Sequence, residues 1–319
     1  MDIVLLFPGQ GSQKPGMAED VVQTFSAARD IFERVDAALG ISLSRLSFEG
    51  PAEELTLTHN AQPALLAHGA AVWAATRDVI GANVVAAAGH SLGELTAYHA
   101  AESLDVEDAV RIVRRRGELM YESGIERPGA MAAILGETSQ SIEAICERAT
   151  HDAGLVVPAN YNSPGQVVIS GEEAGVERAM TLCKEAGARR AIRLNVSGAF
   201  HSPLMESAAA GLVEVLERAS FDDPHFAVYA NVNAESVTSA ERAKELLLEQ
   251  LSRPVRWTDE VRAMVKRFPD ALYVEMGPGS VLVGLMKKIA PSAKTATCGT
   301  AAEVEQLRER VAQHTYHFP

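Results

Sequence analysis

Two short apolar segments that stop at glycine constrain the fold of this chain more than any other feature. The first is Ile3 to Phe7, which runs into Pro8-Gly9-Gln10-Gly11, and the second is Val84 to Ala88, which runs into Gly89. Each segment is continuously apolar and is followed by helical periodicity, which is typical of buried parallel strands in an α/β sheet. Because sites in such sheets form at the carboxyl ends of the strands, function is expected at these glycine turns.

The middle of the chain predicts a second, smaller unit. After Pro128-Gly129 the patterns indicate, in order, a strand, a helix, two strands, a helix and a strand, over residues 130–135, 139–149, 155–160, 166–170, 172–186 and 190–196. This βαββαβ order is ferredoxin-like. We therefore predict an α/β chain with three segments: 1–127 and 198–319 form a large domain with a parallel sheet, and 128–197 form an inserted small subdomain.

The flanking sequence predicts the elements of the large domain. Helical periodicity indicates one helix over 18–39 and others over 61–80, 91–101 and 106–123. Beyond the small subdomain, strand-like runs at 226–231 and 271–276 alternate with further helical patterns, over 203–219, 240–251, 256–268, 280–289 and 302–313.

Composition excludes several classes of function. A formal charge of −13 over 319 residues argues against a nucleic-acid binder, whose binding domain would be broadly basic. No segment approaches the ~18 consecutive apolar residues of a membrane helix, and the start MDIVLLFPGQ lacks the basic region of a signal peptide. Cys146, Cys183 and Cys298 are far apart, which predicts no metal site and favours a reduced, cytoplasmic setting.

Ser91 is the strongest candidate for chemistry. It lies in Gly89-His90-Ser91-Leu92-Gly93, between a predicted strand and a predicted helix. A Gly-x-Ser-x-Gly turn in that context exposes the serine hydroxyl, and the N–H of the next residue, Leu92, faces a developing oxyanion. The alternative is a serine that serves only the turn.

A serine nucleophile needs a base, and His201 is the best placed of nine histidines. It precedes Ser202-Pro203, a helix cap followed by a proline suited to the first helical position. The partial positive charge of a helix N-terminus favours the neutral, base-competent imidazole. The alternative is a packed histidine at a domain seam; His90 and His99 also fit packing roles.

Arg116 interrupts an apolar helix face. Ala109, Ile112, Val113, Leu119 and Met120 share that face at i, i+3 and i+4 spacing. A guanidinium directed inward needs an anion, because burying an unpaired charge is costly. The residues leave two possibilities open, a structural ion pair and a fork for a substrate carboxylate.

The first glycine loop does not bind nucleotides by any standard pattern. In Gly9-Gln10-Gly11-Ser12-Gln13-Lys14, the third glycine of G-x-G-x-x-G is replaced by Lys14. Met17 stands after Gly16 where a phosphate-binding loop needs lysine. The N–H of Gln10, at the end of a neighbouring strand, suits the second half of an oxyanion hole instead.

These motifs carry a family resemblance over nearly the whole chain. The chain resembles malonyl-CoA:acyl carrier protein transacylases and the related acyltransferase domains of polyketide synthases. The motifs are Gly9–Gln13, Gly89–Glu94, Arg116-Gly117 with Met120, Asn160–Gln166, Gly198–Ser202, Gln250 with Pro254–Trp257, and Glu275–Gly279.

The resemblance implies a fold and a set of roles. The large domain is expected to be hydrolase-like. Ser91 is the expected nucleophile, His201 its base, Arg116 the partner of the malonyl carboxylate, and Gln250 a residue near His201 that holds the site without an acidic third member. The amides of Gln10 and Leu92 form the oxyanion hole. The acyl pocket is expected to use Phe200, Asn160 and Asn162, with Phe200 filling the space of an α-methyl group, although Gly198 departs from the histidine of many polyketide domains.

The implied reaction is ping-pong transfer of malonyl from coenzyme A to the phosphopantetheine thiol of acyl carrier protein in fatty acid synthesis, with no permanently bound cofactor. Carrier proteins are acidic, so docking on this acidic chain requires a local basic patch, for which the candidates are Lys184, Arg189, Arg190, Lys287 and Lys288.

Other functions stay open at the level of sequence. Gly-x-Ser-x-Gly alone also fits a serine hydrolase or thioesterase. A non-catalytic subunit that docks carrier protein or binds malonyl groups is a third possibility. Within malonyl transfer, polyketide synthesis and malonate metabolism are alternative pathways.

Overall fold

Strands and helices alternate along most of the chain in the computed structural model, which describes residues 1–315 and the side chains of residues 1–313. The strands are β1 Ile3–Phe7, β2 Val84–Gly89, β3 Ala130–Leu135, β4 Val156–Ser163, β5 Gln166–Gly171, β6 Arg190–Arg193, β7 Ala227–Tyr229, β8 Ser236–Val237, β9 Leu272–Met276 and β10 Lys294–Cys298. The helices are α1 Glu19–Thr24, α2 Ser26–Leu39, α3 Leu43–Glu49, α4 Ala52–Thr56, α5 Thr58–Ile80, α6 Leu92–Ala100, α7 Val106–Glu126, α8 Ile142–Asp152, α9 Glu173–Glu185, α10 Glu206–Arg218, α11 Ala240–Gln250, α12 Trp257–Arg267, α13 Val281–Ile289 and α14 Ala301–Thr315. In this part of the chain no helix has the length and apolarity needed to cross a bilayer.

The large sheet has the strand order β10-β9-β1-β2-β7-β8. Its first five strands are parallel, and β8 runs antiparallel to β7. Alternate residues of β1 enter different cores, with Leu5 on one face and Val4 and Leu6 on the other. Burial on both faces explains why β1 is continuously apolar. The two strands predicted from glycine-terminated runs are therefore confirmed as central neighbours.

The small sheet confirms the predicted ferredoxin-like order. Its strands are antiparallel in the order β4-β5-β3-β6, and α8 and α9 connect β3 to β4 and β5 to β6. Both helices pack on one face, where Cys146 and Cys183 are buried in the same core. The α/β class with a separate antiparallel sheet is as predicted, while the exact boundaries at 127/128 and 197/198 stay a prediction.

The structure corrects several predicted elements. The single helix predicted over 18–39 is two helices, because Phe25 is extended at φ −115° and ψ 120°. Helices α3 and α4 and strands β8 and β10 were not predicted. Strand β10 lies at the edge of the sheet and is mostly half-buried, so its sequence lacks the apolar run of a central strand, and pairing with β9 defines it.

A backbone junction joins the small sheet to the large domain. Val255 donates its N–H to the carbonyl of Ala159 and accepts from the N–H of Tyr161, both at 2.9 Å. The Thr258 hydroxyl also donates to the carbonyl of Tyr161. This junction places β4 beside the carboxyl end of β2, where Ser91 lies.

Candidate active site

Ser91 occupies a sharp turn between β2 and α6. Its backbone has φ 54° and ψ −110°, a conformation that L-residues rarely adopt. A Cβ at Gly89 would lie 1.9 Å from the carbonyl of Gly93, and one at Gly93 would lie 2.2 Å from the carbonyl oxygen of Phe7. Both glycines of the motif are therefore required by close backbone contacts, as a nucleophile turn predicts.

His201 lies directly against the serine. Its Nε2 is 2.8 Å from Ser91 Oγ although the two residues are 110 positions apart. Its Nδ1 contacts the backbone carbonyl oxygens of Gln250 at 2.9 Å and Arg253 at 3.2 Å. Since a carbonyl can only accept, Nδ1 carries the hydrogen and Nε2 presents its lone pair to the serine hydroxyl. This tautomer can take the serine proton.

The neutral form of His201 is favoured mainly by burial. Burial and the nearby Arg116 charge lower the pKa of His201 to about 3, against the raising effect of the carbonyl contacts. The predicted cap is also present, because Ser202 Oγ accepts from the N–H of Leu204 at the start of a 3₁₀ turn over Pro203–Met205. The helix start predicted next to His201 is therefore present, but burial is the main cause of the lowered pKa of His201.

Arg116 reaches the serine from α7 and is 1% exposed. Its guanidinium donates to Gln62 Oε1 at 2.7 Å, Ser91 Oγ at 3.0 Å and Gln250 Oε1 at 2.9 Å. Burial lowers its pKa to about 10, opposed by the charge of Glu94, so the group remains protonated at neutral pH.

No carboxylate pairs with Arg116. Among the ion pairs of residues 1–313 it has none, and its buried Nε–H lacks a hydrogen-bond partner there. The structural ion pair that the sequence left open is therefore not formed. A buried, protonated guanidinium with an unused donor can instead bind a carboxylate supplied by a ligand.

Gln10 and Leu92 flank the serine as predicted. Because β1 and β2 are parallel with Phe7 opposite Gly89, the turns that follow these strands lie side by side. His90 donates its N–H to the carbonyl of Phe7 at 3.0 Å, which ties the two turns together. Both residues line the cavity at Ser91. The role of their N–H groups in holding an oxyanion stays a prediction.

The Gln250 side chain connects the site to a buried polar layer. Its Nε2 donates to the carbonyl of Ser91 at 3.0 Å and to Glu94 Oε2 at 2.6 Å. Its Oε1 accepts from Arg116, and its backbone carbonyl holds His201. One residue at the end of α11 thus contacts the main chain of Ser91 and the side chains of Arg116 and His201.

A cavity of about 330 Å³ opens onto these groups. It brings together Gln10, Ser91, Leu92, Arg116, Asn160, Phe200 and His201. Asn162 lies behind this wall, where its Oδ1 is 2.8 Å from His90 Nε2. Its predicted contact with substrate stays a prediction, whereas its contact with His90 is direct.

Two residues at the site were missed by sequence reasoning. Gln62 is one of several buried polar residues on α5, and Asn231 lies two residues beyond β7 and accepts the N–H of Ser91 at 2.7 Å. The available signals were a polar residue on a mainly apolar helix and an amide after a parallel strand, both common in proteins without such a site.

A second large cavity among the described residues lacks this combination of side chains. A larger cavity of about 700 Å³ opens beyond β9 and β10 and includes none of the predicted catalytic residues. Within the described residues, no group of three or more His, Cys, Asp or Glu side chains is arranged to hold a metal ion.

The predicted basic residues form two exposed groups, Lys184, Arg189 and Arg190 on the small subdomain and Lys287 and Lys288 on α13. One end of the small sheet lies between these groups. Arg190 pairs with Leu135, and Leu135 pairs with Gln166 on the next strand. Lys288 donates to Gln166 Oε1 at 3.0 Å. We define the basic patch as the five exposed residues Lys184, Arg189, Arg190, Lys287 and Lys288.

Comparisons with known proteins find relatives over nearly the full length of the chain. Residues 4–315 match the model of the acyl transferase domain. A Bacillus subtilis malonyl CoA-acyl carrier protein transacylase is 45% identical over 303 residues, which is 95% of each chain. The crystal structure of an acyl-carrier-protein-S-malonyltransferase from Bartonella henselae has a TM-score of 0.92 and 39% identity, covering 98% of this chain and 100% of that one.

A further solved structure contains a carrier protein. It is a type II PKS acyl-carrier protein in complex with its malonyl-transacylase, with a TM-score of 0.90, 40% identity, and coverage of 97% of this chain and 100% of that one. Match over nearly the full length, together with the serine, histidine and arginine site, identifies the family. The chain belongs to the acyl transferase domain family, among the malonyl CoA-acyl carrier protein transacylases.

Proposed function

We propose that this protein transfers a malonyl group from malonyl-CoA to the phosphopantetheine thiol of acyl carrier protein, in fatty acid synthesis. The observation that carries the proposal is the contact between Arg116 and Ser91 Oγ at 3.0 Å, made by a buried guanidinium with no carboxylate partner in residues 1–313. A free carboxylate on the acyl chain would satisfy that charge and place the thioester carbon near the serine.

The first half-reaction forms a malonyl ester on Ser91. Ser91 Oγ attacks the thioester carbonyl carbon while its proton moves to His201 Nε2. The N–H groups of Gln10 and Leu92 hold the resulting oxyanion. The carbon–sulfur bond then breaks, and coenzyme A leaves as a thiol after its sulfur takes the proton from His201.

The second half-reaction reverses these roles. The carrier thiol gives its proton to His201 and its sulfur attacks the ester carbonyl carbon. Collapse of the intermediate breaks the carbon–oxygen bond and returns the proton to Ser91 Oγ. The carbonyls of Gln250 and Arg253 keep the imidazole in one tautomer throughout, the task that a carboxylate performs in a Ser-His-Asp triad.

Mass spectrometry of the intact protein tests this function directly. After exposure to a panel of acyl-CoAs, we expect one malonyl increment. Acetyl should load little because it offers Arg116 no carboxylate, and methylmalonyl should load little because Phe200 lies in the wall of the cavity. Adding phosphopantetheinylated carrier protein should remove the increment and load the carrier. An acyl-enzyme that water clears faster than the carrier thiol would instead favour a hydrolase.

The pH dependence of loading should report the depressed pKa of His201. A base must be unprotonated, and with a pKa of about 3 the imidazole is neutral at all higher pH. We therefore expect kcat/KM for loading to have no acid limb near the ordinary histidine value of ~6.5.

One buried group near His201 titrates in this range, because burial raises the pKa of Glu94, which shares the partner Gln250 with His201, to about 7. The charge of Arg116 and the nearby His90 also act on His201, but burial lowers the pKa of Arg116 only to about 10 and lowers the pKa of His90 below its ordinary value. Profiles should therefore be measured in parallel for the wild type and Glu94→Gln. An acid limb near the ordinary histidine pKa that persists in Glu94→Gln contradicts the predicted state of His201.

Docking of the carrier on the basic patch is part of the proposal. The double reversal Lys287→Glu, Lys288→Glu should raise the KM for an acidic carrier by roughly tenfold, because two favourable charge contacts become repulsive. The kinetics of malonyl-CoA loading should stay unchanged. Lys294→Glu is the matched control, since Lys294 is an exposed lysine outside the basic patch and donates to the carbonyl of Asp270. Loading and carrier KM changing together would exclude the patch.

The proposal also covers the role of coenzyme A and the cellular compartment. Coenzyme A takes part as a thioester substrate and is not a resident cofactor. The cytoplasm suits a protein whose Cys146, Cys183 and Cys298 are free, buried thiols.

A further inference from the structure

We propose that Asn231 is a positioning residue that holds the backbone of Ser91 in the conformation that nucleophilic attack requires. The proposal rests on the proposed function insofar as both assign the chemistry to Ser91. Asn231 is fully buried, lies 140 positions from the serine in sequence, and does not line the cavity. Its effect on the reaction would therefore pass through the main chain of Ser91.

The turn at Ser91 needs an external restraint. Its φ of 54° and ψ of −110° lie outside the regions that a serine prefers. Such a conformation persists only when contacts from the surrounding structure outweigh the local backbone preference against it. Asn231 supplies contacts on both sides of the bend: Oδ1 accepts the N–H of Ser91 at 2.7 Å, and Nδ2 donates to the carbonyl of Gly89 at 2.8 Å.

The orientation of the Asn231 amide is fixed by its partners. Nδ2 also donates to the carboxyl group of Glu260, at 3.1 and 3.2 Å from its two oxygens. Rotating the amide by half a turn would place Oδ1 against the carbonyl of Gly89 and Nδ2 against the N–H of Ser91. The first contact would then join two acceptors and the second two donors, so the two backbone groups allow only one orientation.

The main chain of Asn231 is equally constrained. Its N–H donates to Glu94 Oε2 at 3.1 Å, and its carbonyl accepts from the N–H of Arg256 at 2.9 Å. Oδ1 also accepts a longer hydrogen bond from Gln250 Nε2, at 3.3 Å. Asn231 therefore joins β2, α6, α11 and the junction with the small sheet at one buried point beneath Ser91.

Glu260 supports the amide from α12. It is fully buried, and burial together with the nearby Glu94 raises its pKa well above the ordinary value. Its carboxyl group accepts the Asn231 Nδ2–H, at 3.1 and 3.2 Å from its two oxygens. Glutamine has nearly the same shape and keeps that acceptor, which makes Glu260→Gln a conservative test variant and Glu260→Leu a disruptive one.

The experiment measures the reactivity of Ser91 independently of malonyl recognition. Asn231→Asp, Asn231→Ala and the control Asn233→Ala are labelled with a fluorophosphonate, and malonyl loading gives kcat and KM. Asn233 lies in the same loop but bonds only Glu235 among the described residues. We expect both Asn231 variants to lose about 10²-fold in labelling rate and in kcat, with little change in the KM for malonyl-CoA. Asn233→Ala should match the wild type.

Two further variants separate positioning from simple stabilisation. Glu260→Gln should label at nearly the wild-type rate, and Glu260→Leu should label more slowly. A folded Asn231→Ala that labels at the wild-type rate overturns the proposal. If neither Asn231 variant folds, a folded Glu260→Leu with unchanged labelling overturns it instead.

The two proposals fail in different ways. A wild type that reacts with the fluorophosphonate but never acquires malonyl would contradict the proposed function and leave the positioning test intact. A wild type that loads malonyl, with folded Asn231 variants of undiminished Ser91 reactivity, would contradict the positioning role alone.

Discussion

Replacing Ser91 with alanine should abolish malonyl loading, with the rate falling by at least about 10³-fold, because the acyl group has no other positioned nucleophile to join. Ser91 is the one hydroxyl of the described residues that contacts both His201 Nε2 and Arg116. Intact mass after exposure to malonyl-CoA should show the malonyl increment on the wild type and none on Ser91→Ala.

Controls decide what the loss of the adduct means. Ser280→Ala is a matched change, since Ser280 is exposed and its side chain makes no capping bond to α13. It should load like the wild type. Equal loading of Ser91→Ala would assign the adduct to another residue. Reversible binding without any adduct on the wild type would favour the non-catalytic subunit that the sequence left open.

Replacing Arg116 with alanine should reverse the preference for charged acyl groups. Removing one partner of a buried charged contact typically costs 2–5 kcal/mol, so we expect kcat/KM for malonyl-CoA to fall about 10²- to 10³-fold. Acetyl-CoA should lose less, because it has no carboxylate for the guanidinium to bind. The measurement is the ratio of the two loading rates under competition.

Matched variants separate charge from geometry. Arg116→Lys keeps the charge but lacks the planar fork, so it should recover only part of the malonyl rate. Arg111→Ala removes an exposed arginine from the same helix, where its contact is Asp108, and should change neither rate. An unchanged ratio of malonyl to acetyl loading in a folded Arg116→Ala would remove Arg116 from carboxylate recognition.

Local patterns were enough to predict the main parts of the site. The apolar runs that become β1 and β2 end at glycine, and their buried, parallel pairing follows from that pattern. Arg116 was identified because one cation interrupts an apolar helix face. In each case neighbours along the chain carry the signal, since strand alternation and helical periodicity are short-range properties.

Other parts depend on contacts that no local pattern encodes. Gln62 is 54 positions from Arg116, and Asn231 is 29 from Glu260, so their partners are brought together by folding alone. The same applies to β10, which is defined by pairing with β9. The break at Phe25 was missed because apolar periodicity continues across it.

The amino-acid sequence by itself determined the α/β class, the ferredoxin-like order of the small subdomain, the serine turn and the inward-facing arginine. These follow from backbone sterics and from the periodic burial of apolar side chains, which act over a few residues. Only the tertiary structure decided that His201 is held by two backbone carbonyls, that Arg116 has no carboxylate partner in the described residues, and that Asn231 Oδ1 accepts the N–H of Ser91. Those facts depend on which groups meet after distant segments pack, and on the burial that shifts the pKa of His201.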